Sequence, residues 1–130
     1  MKSKVLVVDD EVHITTLLRA TLRMYDYEVV VAYDGVEALE KVDSEKPDII
    51  ILDIKMPRLD GWGVCKQLKT DERTKKIPII ILTAYGQAAD CKKSLEVGAD
   101  KFMTKPFEIP NLLDLIQKLL KKDGSIGGGS

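Results

Sequence analysis

The chain has 130 residues, 45% hydrophobic and 32% charged, which is enough for one globular domain with a buried core and excludes a disordered chain. Lys and Arg number 20 against 21 Asp and Glu, a net charge of -1, so no global basic field draws the protein onto nucleic acid or an anionic membrane. The apolar runs fall far short of the roughly 20 residues that span a bilayer, and the N-terminus lacks a signal peptide's long apolar core, which predicts a cytoplasmic protein.

In chain order, Val5 to Val8 is a short β-branched run that reads as a strand, followed by helical spacing from Val12 to Tyr25. Glu28 to Ala32 and Gly35 to Glu45 repeat the alternation, as do Asp48 to Leu52 and Gly61 to Thr70. Ile77 to Leu82 leads to a helical segment from Gln87 to Val97, with Gly98 as its C-cap, and Lys101 to Met103 leads to Ile109 to Lys121, with Pro110 in the first turn. The middle strands are apolar at successive positions, the pattern of parallel strands covered on both faces. The result is an α/β fold, (βα)5, a doubly wound five-stranded parallel sheet with helices on both faces. Residues 1–122 form the domain. Residues 123–130, rich in Gly and Ser, read as a flexible linker or a cloning remnant. Cys65 and Cys91 have neither metal-ligand spacing nor a secreted context and are expected to be free thiols packed against helix neighbours.

Polar residues gather at the strand ends. The first strand ends in Asp9, Asp10 and Glu11, with no basic residue beside them; the third ends in Asp53, the fourth in Thr83, and Lys105 follows the fifth. In a sheet of order 2-1-3-4-5 the winding reverses between strands one and three, where Asp9, Asp10 and Asp53 would converge. Three carboxylates in one cleft repel each other unless a cation intervenes. An all-oxygen set suits Mg²⁺ (or Mn²⁺), and the Thr83 hydroxyl and Lys105 ammonium supply a donor and a compensating charge for a phosphate. Each residue alone has a plainer reading: Asp9 or Asp10 as a helix N-cap, Thr83 as a turn residue, Lys105 as a surface charge. Asp53 is harder to explain away, since an ionised group at the rim of a buried strand costs free energy unless paired or coordinated. His13, one turn into a helix, reads as structural or solvated, and Trp62 as partial packing that offers an optical probe.

The stretches Val-Val-Asp9-Asp10-Glu, Leu-Asp53-Ile-Lys-Met-Pro57-Arg-Leu-Asp-Gly61, Leu-Thr83-Ala84 and Phe102-Met-Thr-Lys105-Pro106-Phe, in that order, resemble the response-regulator receiver domain of two-component signalling, a CheY-like superfamily with the flavodoxin-like strand order. The resemblance covers about residues 3 to 122. It implies that Asp53 is the phosphoacceptor, that Asp9, Asp10, Asp53 and the backbone carbonyl of Lys55 hold Mg²⁺, and that Thr83, Ala84 and Lys105 contact the phosphoryl group. It further implies a switch through Thr83 and Phe102, read by partners on the face of the fourth helix, fifth strand and fifth helix. By the same resemblance, Lys55 and Tyr85 are expected to stand where side-chain size tunes phosphoryl lifetime, and both are large here.

The implied partners are a histidine kinase or phosphotransfer protein and a downstream protein target, with no direct contact to nucleic acid or membrane, and the protein is a monomer or a phosphorylation-dependent dimer. It would assist its own phosphorylation without being an enzyme that turns over a separate substrate. A dehalogenase-type phosphatase would need an Asp where Lys55 stands, a flavodoxin-like carrier a glycine-rich loop where the three acids stand, and no dinucleotide or P-loop fingerprint occurs. The surviving alternative is a binding module or engineered scaffold on the same fold.

Overall fold

The computed structural model describes residues 2–54, 60–83, 96–105 and 107–124. Five strands, β1 (Lys4–Val8), β2 (Glu28–Ala32), β3 (Ile49–Asp53), β4 (Ile79–Thr83) and β5 (Lys101–Thr104), form one parallel sheet in the order β2-β1-β3-β4-β5. The described helices are α1 (Val12–Met24), α2 (Gly35–Glu45), α3 (Gly61–Thr70) and the C-terminal helix α4 (Ile109–Gly124). The doubly wound order expected from the sequence is therefore the observed one.

The sheet is buried on both faces, which is why its central strands are apolar at successive positions, Val5 to Val8, Ile49 to Leu52 and Ile79 to Leu82. Leu6, Val8, Ile50, Leu52, Ile79 and Ile81 pack with Ala38, Val42, Val64, Cys65 and Leu68 of α2 and α3. Val5, Val7, Ile49, Ile51, Ile80 and Leu82 pack on the opposite face with Leu18, Leu22, Leu112, Ile116 and Leu119 of α1 and α4. Alternate residues of each strand thus feed two separate cores.

Boundaries differ from expectation by a residue or two, for local reasons. β4 begins at Ile79 rather than Ile77, because Pro78 has no N–H to give; its carbonyl still accepts from the Ile50 amide at 3.0 Å. β3 runs one residue further than expected, so Asp53 is the last residue of the strand, paired with Leu82. α4 continues to Gly124, which puts the first two residues of the expected tail, Asp123 and Gly124, in its last turn. Of the expected helix Gln87 to Val97, residues 87–95 lie outside the described ones; Glu96 is helical, and Gly98 follows at φ 85°, the left-handed conformation of a C-terminal stop.

Two helices are capped as the sequence allows. Asp34 Oδ1 accepts from the Glu37 amide at 2.8 Å while Glu37 Oε1 accepts from the Tyr33 amide at 2.7 Å, a reciprocal start to α2. Asp60 Oδ1 accepts from Gly63 at 2.9 Å and starts α3. α1 departs from the plainer reading of Asp9 or Asp10 as its cap: Glu11 holds that place and its side chain makes no capping bond.

Candidate active site at the carboxyl end of the sheet

The two central strands deliver the acids. β1 ends at Val8, so Asp9 and Asp10 leave the sheet beside the last residue of β3, Asp53. One oxygen from each of Asp9, Asp10 and Asp53 can be chosen so that all lie within 4.8 Å of one another. Asp9 is fully buried, Asp53 is 6% exposed, and Asp10 faces solvent. Carboxylates this close repel, and an exposed oxygen of Asp10 beside two buried ones makes a lopsided, outward-opening cup. Asp10 makes no side-chain hydrogen bond or ion pair among the described residues.

Partial neutralisation comes from the residue after β5. Lys105 Nζ donates to Asp9 Oδ2 at 2.9 Å and lies 3.6 Å from Asp53 Oδ1 and 3.6 Å from Glu11 Oε1. Burial alone would lower the pKa of Lys105, but the hydrogen bond to Asp9 and the charges of Asp53, Asp9 and Glu11 outweigh it and hold the ammonium above its ordinary 10.5. One lysine against Asp9, Asp10, Glu11 and Asp53 still leaves the cleft negative. Hard oxygen donors, a net negative charge and this spacing are compatible with Mg²⁺ or Mn²⁺.

The backbone is shaped to fit. Asp9 Oδ1 accepts from the Glu11 amide at 2.9 Å, which turns the chain from β1 into α1 and fixes one Asp9 oxygen. A Cβ on Gly61 would collide with the Asp53 carbonyl oxygen and come within 2.6 Å of Ile54 Cα, and the Gly61 amide donates to the Ile54 carbonyl at 3.0 Å. Only glycine lets the start of α3 lie this close under the phosphoacceptor candidate.

Of the residues expected at the site, Asp9, Asp10, Asp53 and Lys105 are brought together. Thr83 ends β4, in register with Thr104, so its position is at the same edge. Phe102 lies on β5, half-buried and packed against the α2/α3 core. Lys55, Ala84, Tyr85 and Cys91 lie outside the described residues. His13 is exposed on α1 and pairs with Glu11 at 3.5 Å, and Trp62 is half-buried against the core, as expected of both. Cys65 is a free, buried thiol whose pKa burial pushes up to about 11. In the sequence Glu11 is only the third of three acids; its contact with Lys105 depends on a side-chain direction that no spacing rule reports. A groove of about 170 Å³ between α2 and α3, lined by Leu39, Val42, Leu68 and Arg73 among others, shares no residue with the acidic cleft.

A parallel sheet of order 2-1-3-4-5 with an acidic cup at its carboxyl edge and a lysine reaching into it defines the class of flavodoxin-like, CheY-like domains. More narrowly, the chain belongs to the response regulator receiver domain family, whose profile matches residues 5–117. It is 47% identical over 121 residues to the probable transcriptional regulator ycf27 of Cyanophora paradoxa, covering 93% of this chain and 49% of that protein. A putative response regulator from Chloroflexus aurantiacus superposes with TM-score 0.88 at 34% identity, covering 92% of this chain and 98% of that one. The receiver domain of sensor histidine kinase PA1611 from Pseudomonas aeruginosa, solved with magnesium coordinated in its active-site cleft, gives TM-score 0.85 at 28% identity over 92% of this chain and 98% of that one. The chain spans about half the length of the curated relatives it matches. It is a two-component signalling domain. No described helix is long and apolar enough to cross a membrane.

Proposed function

We propose that Asp53 accepts a phosphoryl group from a phosphohistidine on a partner kinase or phosphotransfer protein. The observation that carries this is Asp53 itself: a carboxylate at the end of the central strand, nearly buried, 3.6 Å from an ammonium and grouped with two further carboxylates. An Asp53 oxygen attacks phosphorus in line; the P–O bond forms as the P–N bond breaks, and the histidine nitrogen leaves with the electron pair. The product is an acyl phosphate on the chain itself, so the domain catalyses its own modification and has no separate turnover substrate.

Asp9, Asp10, Asp53 and the Lys55 carbonyl would hold Mg²⁺, which when bound would supply positive charge to offset that on the phosphoryl oxygens. The PA1611 receiver, with magnesium in its cleft, supports this by analogy. Lys105 would neutralise charge on a phosphoryl oxygen, and Thr83 with Ala84 would contact the others. The phosphoryl group carries roughly -1.5 to -2 charge where the carboxylate carried one. Thr83 closes on it, Phe102 turns inward, and the face formed by the fourth predicted helix, β5 and the C-terminal helix changes for a downstream protein target; phosphorylation biases a two-state equilibrium by contacts that only one state makes. The ycf27 relative is named a transcriptional regulator, and a transcriptional output read through this face follows by analogy. The cytoplasm is where such a kinase partner would meet it.

Intact-protein mass spectrometry after incubation with acetyl phosphate tests the proposal. Gain of one phosphoryl group that needs Mg²⁺ and disappears in Asp53→Asn is the expected result; no gain in the wild type leaves a binding module on a receiver fold. The same assay followed over time reads lifetime: large side chains at Lys55 and Tyr85 obstruct the attacking water, so the adduct should be long-lived, decay within seconds in Mg²⁺ would contradict this, and Lys55→Ala or Tyr85→Ala should shorten the lifetime.

A further inference from the structure

Glu11 is unusual in where its side chain goes. It occupies the N-cap of α1, where a carboxylate would ordinarily turn back to the first free amides, yet it makes no capping bond. Instead Oε1 lies 3.6 Å from Lys105 Nζ and Oε2 lies 3.5 Å from His13 Nε2. Its backbone amide meanwhile is held by Asp9 Oδ1 at 2.9 Å. Lys105 Nζ therefore stands between two inner carboxylates, Asp9 at 2.9 Å and Asp53 at 3.6 Å, and one outer carboxylate that belongs to neither the sheet nor the three-acid cup. The inner pair is nearly inaccessible, whereas Glu11 is half exposed.

The geometry points to Glu11 as a positioning residue for Lys105: its carboxylate draws the ammonium toward the mouth of the cleft and so reduces how strongly Lys105 competes with a divalent cation for Asp9 and Asp53. This rests on the phosphoacceptor and metal reading above and adds a residue to it. Both the lysine and the cation are attracted to the same oxygens, so each must weaken the other's hold; an outer anion that shares the lysine relieves that competition. Glu11 also adds its own negative charge near the cation, but that effect is independent of Lys105 and can be separated from the first by a double-mutant cycle.

The measurement is Mg²⁺ affinity of the unphosphorylated protein, read from Trp62 emission, in the wild type, Glu11→Gln, Lys105→Met and the double variant. With a half-exposed pair the coupling should be modest: Glu11→Gln is expected to weaken Mg²⁺ binding about threefold more in the presence of Lys105 than in its absence. Glu11→Asp, which keeps the charge but shortens the reach, should fall with Glu11→Gln rather than with the wild type. Equal effects of Glu11→Gln in both backgrounds would overturn the positioning role and leave Glu11 a remote charge only, with the metal site intact. Absence of Mg²⁺ binding in the wild type would overturn the metal reading and this inference together.

Discussion

At the residue scale the cleft is a conflict of like charges, and the conflict has measurable consequences. Asp10 is exposed, within reach of Asp9 and Asp53, and has no side-chain partner of its own among the described residues. Replacing it with Asn removes its repulsion from Asp9 and Asp53, about 1 kcal/mol per neighbouring carboxylate even at the dielectric of bulk water. Without metal, Asp10→Asn should therefore melt later than the wild type. With saturating Mg²⁺ the order should invert, because binding to the native state adds about 2.7 kcal/mol at a hundredfold excess over Kd and the variant forgoes part of it. Calorimetric melting with and without Mg²⁺ checks both halves; a variant that stays ahead in Mg²⁺ counts against metal at this cup. Lys105 supplies a second test. Its folded pKa is raised, so the ion pairs stabilise fully below the ordinary 10.5 and are lost as pH rises through the higher folded value. In urea titrations, Lys105→Met should lose less stability than the wild type between pH 10 and 12, and an identical loss would mean the pairing contributes nothing. The acids and lysine of this site were legible as sequence because they fall at strand ends, whose order the apolar runs dictate. Glu11's turn toward Lys105 was not, since an N-cap acid by itself favours the helix amides and only the three-dimensional approach of the β5 loop offers it a cation.

At the scale of elements, the start of α3 decides how closely the helix can sit under β3. Gly61 has no Cβ, and one added there would strike the Asp53 carbonyl and Ile54. Gly61→Ala should cost roughly 1–3 kcal/mol, the range for overpacking a tight contact, and should displace Asp53 enough to slow phosphorylation. Denaturant midpoints and the phosphorylation rate measure the two effects; an alanine variant unchanged in both would show that the segment between β3 and α3 yields easily. The strands were readable from β-branched runs, and their errors are informative. Pro78 removed two residues from the expected β4, and Asp53 joined β3 because the last ladder position needs only backbone pairing with Leu82, whatever side chain it carries. Helix limits for α2 and α3 were met because Asp34 and Asp60 cap them and announce themselves in the sequence. The C-terminal helix overran its expected end since Lys121 to Gly124 contain no proline to stop it.

For the whole molecule, the arrangement of two cores on one sheet has a bearing on how the chain is made. Every neighbouring pair of strands is parallel, so none can close as a hairpin and each must wait for a complete crossover. β1 finds its partner β3 only after residue 53, and one face of β3 and β4 has only Leu18 and Leu22 of α1 to pack against until Leu112, Ile116 and Leu119 of the last helix arrive. A polypeptide emerging from the ribosome would thus carry Ile49 and Ile51, and later Ile80 and Leu82, incompletely covered until the last helix emerges, β-prone residues with a strong tendency to associate. Stalled nascent chains ending near residue 108 should be protease-sensitive and hold chaperones, whereas chains with residues 1–124 outside the exit tunnel should resist. The surface that makes the finished sheet firm is the one that leaves the unfinished chain dependent on help.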